Sequence, residues 1–201
     1  MTPAPDAGHA ASRTPAGSGR LVVLSGPSGV GKGTVLAQIK VRHPEIWLSV
    51  SVTTRAPRVN EYEGEPYHFV DDAEFDRMIA AGLFLEYASY AGHRYGTPRG
   101  PVEEHLARGE QALVEVELQG ARQIRKSMAG AFLIFLAPPS WDELVRRLVG
   151  RGTEDPPAVE RRLGIARGEL MHEEEFDAVV INDNVQAAAD RVVALSLHPP
   201  G

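Results

Sequence analysis

A continuous apolar run, Leu21–Ser25 (LVVLS), opens directly into Gly26-Pro27-Ser28-Gly29-Val30-Gly31-Lys32-Gly33-Thr34 and then into a helical stretch that stops at His43-Pro44. That order constrains the fold more than any other feature. A strand with no polar alternation must be covered on both faces, and a strand, glycine turn and helix in succession belong to a parallel sheet with crossover helices. The glycines let successive backbone N–H groups converge on phosphate oxygens, the helix N-terminus adds positive potential, and Lys32 brings a full charge to terminal phosphates. Chance would supply the Gly-x4-Gly-Lys core only ~0.03 times in a chain of this composition. Two rival readings of the glycines fail on spacing. Val30 stands where a nucleophile elbow needs its last glycine, and Thr34 stands where a dinucleotide fingerprint needs its third. One departure concerns the metal. The strict pattern has Ser or Thr directly after the lysine, whereas here Gly33 intervenes. Either Thr34 reaches the nucleotide's metal from one position later, or Mg²⁺ is held largely by phosphates and water.

The rest of the chain supports one α/β body. Its 201 residues are 43% hydrophobic and 24% charged, which suits a globular domain and excludes fibrous or wholly disordered classes. No apolar run approaches the ~18 residues a membrane span needs. A formal charge of −6 argues against broad nucleic-acid binding. The absence of cysteine excludes disulfides and thiolate chemistry, and the seven histidines show no zinc-type pairing. Residues 1–19 contain no Leu, Ile, Val or aromatic residue and are expected to form a disordered tail. Further buried strands are expected at 112–116, 132–137 and 178–181, each followed by a helix. Ser140-Trp141-Asp142-Glu143 has the spacing of a reciprocal helix cap. Residues 53–97 read as a small β-rich insertion, with strands at 67–70, 83–90 and 94–97, a helix at 72–81 and a hairpin turn at 91–93. The core is therefore expected at 20–52 and 98–201. Val159, Leu163, Ala166 and Leu170 form one helical face, and the polar stretch before it suggests a mobile lid around 150–160.

A phosphate loop does not identify the acceptor. Ser51-Val52-Thr53-Thr54-Arg55-Ala56-Pro57-Arg58 ends in two arginines, whose planar forks suit phosphate oxygens. Taken alone, they could equally be solvated loop residues.

With these segments in view the sequence resembles the guanylate kinase family over about residues 20–197. The motifs are GPSGVGKGT at 26–34, SVTTRAPR at 51–58, EGEPYHFV at 63–70, FLEYASYAGHRYGTP at 84–98, VEVELQGA at 114–121, APPSWDELVRRLVGRGTE at 137–154 and FDAVVIND at 176–183. The resemblance implies a P-loop kinase-type parallel sheet flanked by helices, with a monophosphate-binding insertion and an arginine-bearing lid. It implies Mg²⁺-dependent transfer of the ATP γ-phosphoryl to GMP in the cytoplasm. It places the loop residues 26–34, with Asn182 and Asp183, on ATP, and Arg55, Arg58, Tyr67 and Tyr95 on the GMP phosphate. Ser51, Glu86 and Thr97 would recognise guanine. Arg147, Arg151 and Arg162 would belong to the lid and its flanks, acting on the transferring group with Lys32 and Arg55.

The residue types fit that chemistry. Guanine presents N1–H and an amino group side by side, two donors that one carboxylate such as Glu86 accepts, whereas adenine has an acceptor at N1. The acceptor is an already anionic phosphate oxygen, so alignment and charge control matter more than a general base. Glu115 and Glu117 depart from the family's usual ending in Asp. They share a strand face, but the extra methylene of Glu117 loosens its assignment to guanine or to metal-bound water. The arginines at 146, 147, 151, 161, 162 and 167 could bridge two phosphates; the alternative is a solvated face paired with acids such as Glu160 and Glu169. Two other readings share the loop: an inactive guanylate-kinase-like phosphopeptide-binding module, and a P-loop kinase for another phosphorylated substrate.

Overall fold

Strand β1 (Leu21–Ser25) is buried along its whole length because it is the central strand of a parallel sheet. The computed structural model describes residues 19–59, 61–90, 92–149 and 156–198, with the side chains of 156–158 excepted. The expected tail to residue 18, Ala91 of the hairpin turn, and lid residues 150–155 with Arg151 lie outside the described residues. The sheet runs β10 (Ala178–Ile181), β9 (Phe132–Ala137), β1, β8 (Gln111–Glu115), β2 (Ile46–Leu48), and every pairing in it is parallel.

The two faces of β1 feed two cores. Val22 and Leu24 pack with Val35 and Ile39 of α1 (Lys32–Arg42), Leu144 and Leu148 of α5 (Trp141–Val149), Ala166 of α6 (Pro156–Leu170), and Ala189 and Val192 of α7 (Val185–Leu197). Leu21 and Val23 face the other way, onto Val102 of α3 (Arg99–Ala107) and Ala121 and Ile124 of α4 (Leu118–Ser127). The α/β architecture expected from the alternating pattern is thus found.

A second sheet is built from residues 51–98. Its order is β4 (Tyr62–Glu63), β5 (Pro66–Phe69), β3 (Ser51–Thr53), β7 (His93–Pro98), β6 (Phe84–Tyr90). It is mixed, with β3 parallel to β5 and antiparallel to β7. Helix α2 (Asp72–Ala80) starts where the Asp71 carboxylate accepts the Glu74 N–H at 2.8 Å, a side-chain N-cap. The buried core here is small: Val52, Phe75 and Phe84. Strand β6 joins the two bodies, because Phe84 packs in this small core whereas Leu85 packs with Leu21, Val23 and the α4 residues on that face of the parallel sheet. Glu86 follows directly, and is carried to the junction.

The cap at Ser140 forms on one side only. Ser140 Oγ accepts the Glu143 N–H at 3.2 Å, but the Glu143 carboxylate turns to Arg146 and Arg147 instead of back to the helix start.

Phe75 is fully buried in a core of three residues, so Phe75→Ala is expected to cost ~3–5 kcal/mol. Urea denaturation followed by fluorescence and circular dichroism checks this; a loss below ~1 kcal/mol would show that α2 contributes little to the smaller sheet.

Candidate active site

Helix α1 begins without any side-chain cap. Its N-cap is Gly31 in the left-handed region at φ 102°, and a Cβ there would lie 2.7 Å from Asn182 Nδ2. Only glycine combines that backbone with that neighbour, and the first amides of α1 are left for an anion to satisfy. The loop is fastened from behind. Val30 O accepts from Asn182 Nδ2 at 2.8 Å and from Arg147 Nη1 at 3.1 Å. Arg147 also donates to Asn182 O at 2.9 Å and to Glu143 Oε1 at 2.7 Å, so its guanidinium ties α5, the loop and the end of β10 together. In front of the fastening lies a cleft of ≈ 550 Å³ lined by Gly29, Gly31, Thr34, Arg146, Arg147, Asn182 and Val185. Thr34 and Gly33 are exposed, and nothing lies within 4 Å of where a Gly33 Cβ would be. Asp183 is exposed and its Oδ1 accepts the Asn184 N–H at 2.7 Å. Pro27 and Ser28 are buried in the loop.

Lys32 points inward. Only 7% exposed, it donates from Nζ to Gly26 O at 2.6 Å and lies 3.9 Å from Glu117 Oε2. Burial pulls its pKa down, but the charges of Glu117, Glu115 and Glu169 outweigh burial and raise it above the ordinary lysine value. The group is an ammonium at neutral pH.

Glu169 goes against the alternative of a solvated face along the arginine-rich stretch. Rather than pairing arginines on a solvated face, it is 9% exposed and accepts the Ser28 N–H at 3.2 Å. Burial, then the nearby Glu117 charge, pushes its carboxyl up to about 7. From the same helix, Arg162 reaches Ser28 Oγ at 2.9 Å through Nη2. Arg167 lies over the Trp141 ring at 4.7 Å, away from this cluster of contacts, and Arg146 pairs with Glu143.

The second sheet contributes another cationic site. The Arg55 guanidinium forms a two-point pair with Glu61, at 2.9 Å and 3.1 Å, which holds it above its usual range against partial burial. Glu61 Oε2 also accepts the Arg58 N–H at 2.8 Å. Tyr67 and Phe69 flank Arg55, with ring centroids 5.5 Å and 6.0 Å from its Cζ, and Tyr95 stands edge-on to Tyr67 at 5.8 Å. Burial, then the Glu115 charge, pushes the Tyr67 phenol up to about 12, so it stays a neutral O–H donor. Ser51 lies opposite Tyr67 in the β3/β5 register.

Between the two sites stand Glu117 and Glu86. Glu86 faces Thr97 across the β6/β7 ladder, and Thr97 Oγ1 donates to Glu86 Oε1 at 2.6 Å. At 5% exposure, burial pushes Glu86 up to about 7; hydrogen bonds from Thr97 pull against that, and the charge of Glu117 adds to it. A Cβ at position 120 would lie 2.2 Å from Glu86 Oε2, so Gly120 leaves the room this carboxylate fills. Glu117 is the N-cap residue of α4, and its shielded Oε2 has no hydrogen-bond partner.

The described site therefore unites the loop, Lys32, Arg162, Arg55, Tyr67, Tyr95, Glu86, Thr97 and Glu117. Sequence reasoning passed over Glu61 and named Glu169 only within the alternative of a solvated arginine face. For Glu169 a signal existed, because it lies seven residues after Arg162 and thus on the same helical face.

A nucleotide-type phosphate loop with an inward lysine, facing an arginine fork and a buried acid on a separate sheet, defines a P-loop kinase with a second anionic substrate. The sequence profile of the guanylate kinase family matches residues 18–195. The chain is 58% identical over 180 residues to a guanylate kinase of Thermobifida fusca, covering 90% of this chain and 92% of that one. It is 60% identical over 177 residues to one of Frankia casuarinae, covering 88% and 96%. Among solved structures, guanylate kinase from Anaplasma phagocytophilum superposes with a TM-score of 0.73 at 35% identity, covering 90% of this chain and 85% of that one. The chain belongs to the guanylate kinase family.

Arg147→Met removes three hydrogen bonds, one to the loop at Val30 O and the others to Asn182 O and Glu143, and leaves their acceptors without this donor. The expected loss is ~1–3 kcal/mol in urea denaturation. An unchanged midpoint would show that Asn182 alone holds Val30.

Proposed function

We propose that this chain transfers the γ-phosphoryl group of ATP to GMP, giving ADP and GDP. The observation that carries the reading is that one carboxylate, Glu117, stands 3.9 Å from Lys32 of the phosphate loop and acts electrostatically on the buried Glu86 of the second sheet, so an anion cradle and a guanine-type acceptor lie within reach of the same group. The loop amides of residues 26–34 and Lys32 take the donor phosphates, and the cleft beside Asn182 and Asp183 takes the adenosine end. Arg55, Arg58, Tyr67 and Tyr95 bind the GMP phosphate, with Glu61 giving up its place on Arg55. Glu86, oriented by Thr97, accepts the guanine N1–H and amino group; Ser51 and Glu117 complete that side. Residues 53–97 act as the acceptor module and 150–160 as the lid, which brings Arg151 and Arg162 to the transferring group and excludes water that would hydrolyse ATP. Arg147 acts as a positioning residue, since its donors serve Glu143 and two backbone carbonyls of the loop wall.

Mg²⁺ is the implied cofactor. Among the described residues no cluster of three or more carboxylates or histidines could hold an ion, whereas the exposed Thr34 hydroxyl offers one hard oxygen in the cleft. That donor set fits an ion carried in by ATP, bound mostly by phosphates and water with Thr34 beside it. Bound there, it would neutralise phosphate charge. Substrates of this kind fit the cytoplasm and need neither membrane nor nucleic-acid partner. The intact, charged Lys32 disfavours an inactive phosphopeptide-binding module.

Coupled measurement of ADP production with GMP, AMP, UMP and CMP offered separately tests the reading. GMP is expected to be preferred over AMP by ~10⁴-fold, as a site with buried hydrogen-bonding partners allows; equal rates with all four, or none with GMP, would overturn it. Lys32→Met is expected to lower turnover by ~10²-fold or more, and near-normal turnover would remove Lys32 from the reaction.

Glu86 must be ionised to accept two N–H groups. Its pKa of about 7 in the free site means a proton has to leave on GMP binding, so KM for GMP should rise as pH falls below about 7 and level off above it. Glu86→Gln should lose that component while keeping the titration of GMP's own phosphate. Identical pH profiles for the two proteins would place the titrating group elsewhere.

A further inference from the structure

Strand β6 closes one side of the second sheet, so alternate residues along it turn their backbone N–H and C=O away from β7. Tyr87 is one of these, and a single side chain from the other body takes both of its groups. Gln123 of α4 donates from Nε2 to Tyr87 O at 2.7 Å and accepts the Tyr87 N–H on Oε1 at 3.2 Å. A side-chain amide carries the donor and acceptor of a peptide unit, so Gln123 stands in for one residue of a missing strand. Three consecutive residues of β6 thus rest on α4. Leu85 packs with Ala121 and Ile124, Glu86 fills the space that Gly120 leaves open, and Tyr87 is held by Gln123. Glu117, Gly120 and Gln123 recur at steps of three, which puts them along one side of the helix. The apolar contact at Leu85 has no direction of its own, whereas the amide pair fixes how the strand sits.

We infer that Gln123 is a positioning residue for base recognition: its amide seats the backbone beside Glu86 against α4, and so keeps the Glu86 carboxylate in the dry space over Gly120 where a guanine edge is read. This rests on the assignment of Glu86 to guanine made above. The same seating maintains the burial that pushes Glu86 up to about 7, against hydrogen bonds from Thr97 and with the charge of Glu117 adding to it. Without the amide pair β6 lifts from α4 and water reaches the carboxylate, so its aim and its raised titration are lost together. Gln123 is neutral, and therefore acts on Glu86 through the backbone and not through a charge of its own.

Steady-state kinetics of the full chain against pH, with Gln123→Met and Glu86→Gln beside the wild type, test this. Gln123→Met keeps the length of the side chain and removes the amide. Its KM for GMP at about pH 8 is expected to rise ~10-fold, with KM for ATP within about twofold, because a misplaced recognition group costs affinity for its own substrate. The pH component of KM for GMP that Glu86→Gln lacks is expected to move down by about a unit or more, since a wetter carboxylate ionises at lower pH. A KM for GMP within about twofold of wild type, an equal rise in KM for ATP, or a Glu86 component still centred at about 7 overturns the inference. Glu86→Gln that keeps the full preference for GMP over AMP removes the guanine reading itself, and this inference with it. A measurement without a variant guards against misfolding. Ser89 lies two residues on along the same free edge of β6, and Arg94, which faces it, turns its N–H and C=O to Thr54. In wild-type protein the Tyr87 amide is expected to exchange its hydrogen ~10-fold or more slowly than the Ser89 amide, after correction for intrinsic rates. Equal exchange at the two positions would show that Gln123 does not hold the strand in solution, and would contradict the inference.

Discussion

An ammonium enclosed by protein is tolerated only where carbonyls and carboxylates replace the water it has lost, and Lys32 meets that condition. Gly26 O receives its proton, Glu117 lies at salt-bridge range, and Glu115 and Glu169 hold the charge in place. Each partner comes from a different part of the fold. Gly26 directly follows the central strand, Glu115 ends β8, Glu117 is the N-cap of α4 and Glu169 lies on α6. The parallel sheet is what brings these ends together, since strands running in one direction deliver their C-terminal ends to one edge, where ligands bind in open α/β folds.

The same charge reaches the second sheet. Glu117 influences Lys32 on one side and Glu86 on the other, so the two halves of the cleft are electrostatically joined before either substrate arrives. Both anion sites are also met by carboxylates of the chain: Glu61 on the Arg55 fork and Glu169 on the Ser28 amide.

How much of this was legible depended on burial and length. Strands β1 and β9 were readable to the residue because strands inside a parallel sheet appear as unbroken apolar runs; β10, at the sheet edge, is also an unbroken apolar run and was readable from that alone. Strands β2 and β4 have three and two residues, too few for any period to show. Helix α3 begins beside Pro98 and buries only Val102, so its helical face was hidden. The phosphate loop was readable from chemistry alone, since glycines plus lysine in a strand–helix turn have one common physical use. Glu86 was not; an isolated glutamate on a strand is ordinarily a surface residue, and its assignment came through the resemblance to guanylate kinases. Glu169 was missed because the neighbouring arginines suggested a solvated helix face, and only the packing of α6 onto Ser28 shows otherwise.

The central claim is that Lys32 is a charged group held inside the protein by carboxylates from three elements. Heteronuclear NMR titration of its Nζ and Cε tests that directly. The account expects an ammonium that keeps its proton past the ordinary lysine value of ~10.4; an Nζ that titrates about a unit or more below that value would mean that burial, not the surrounding carboxylates, governs the site.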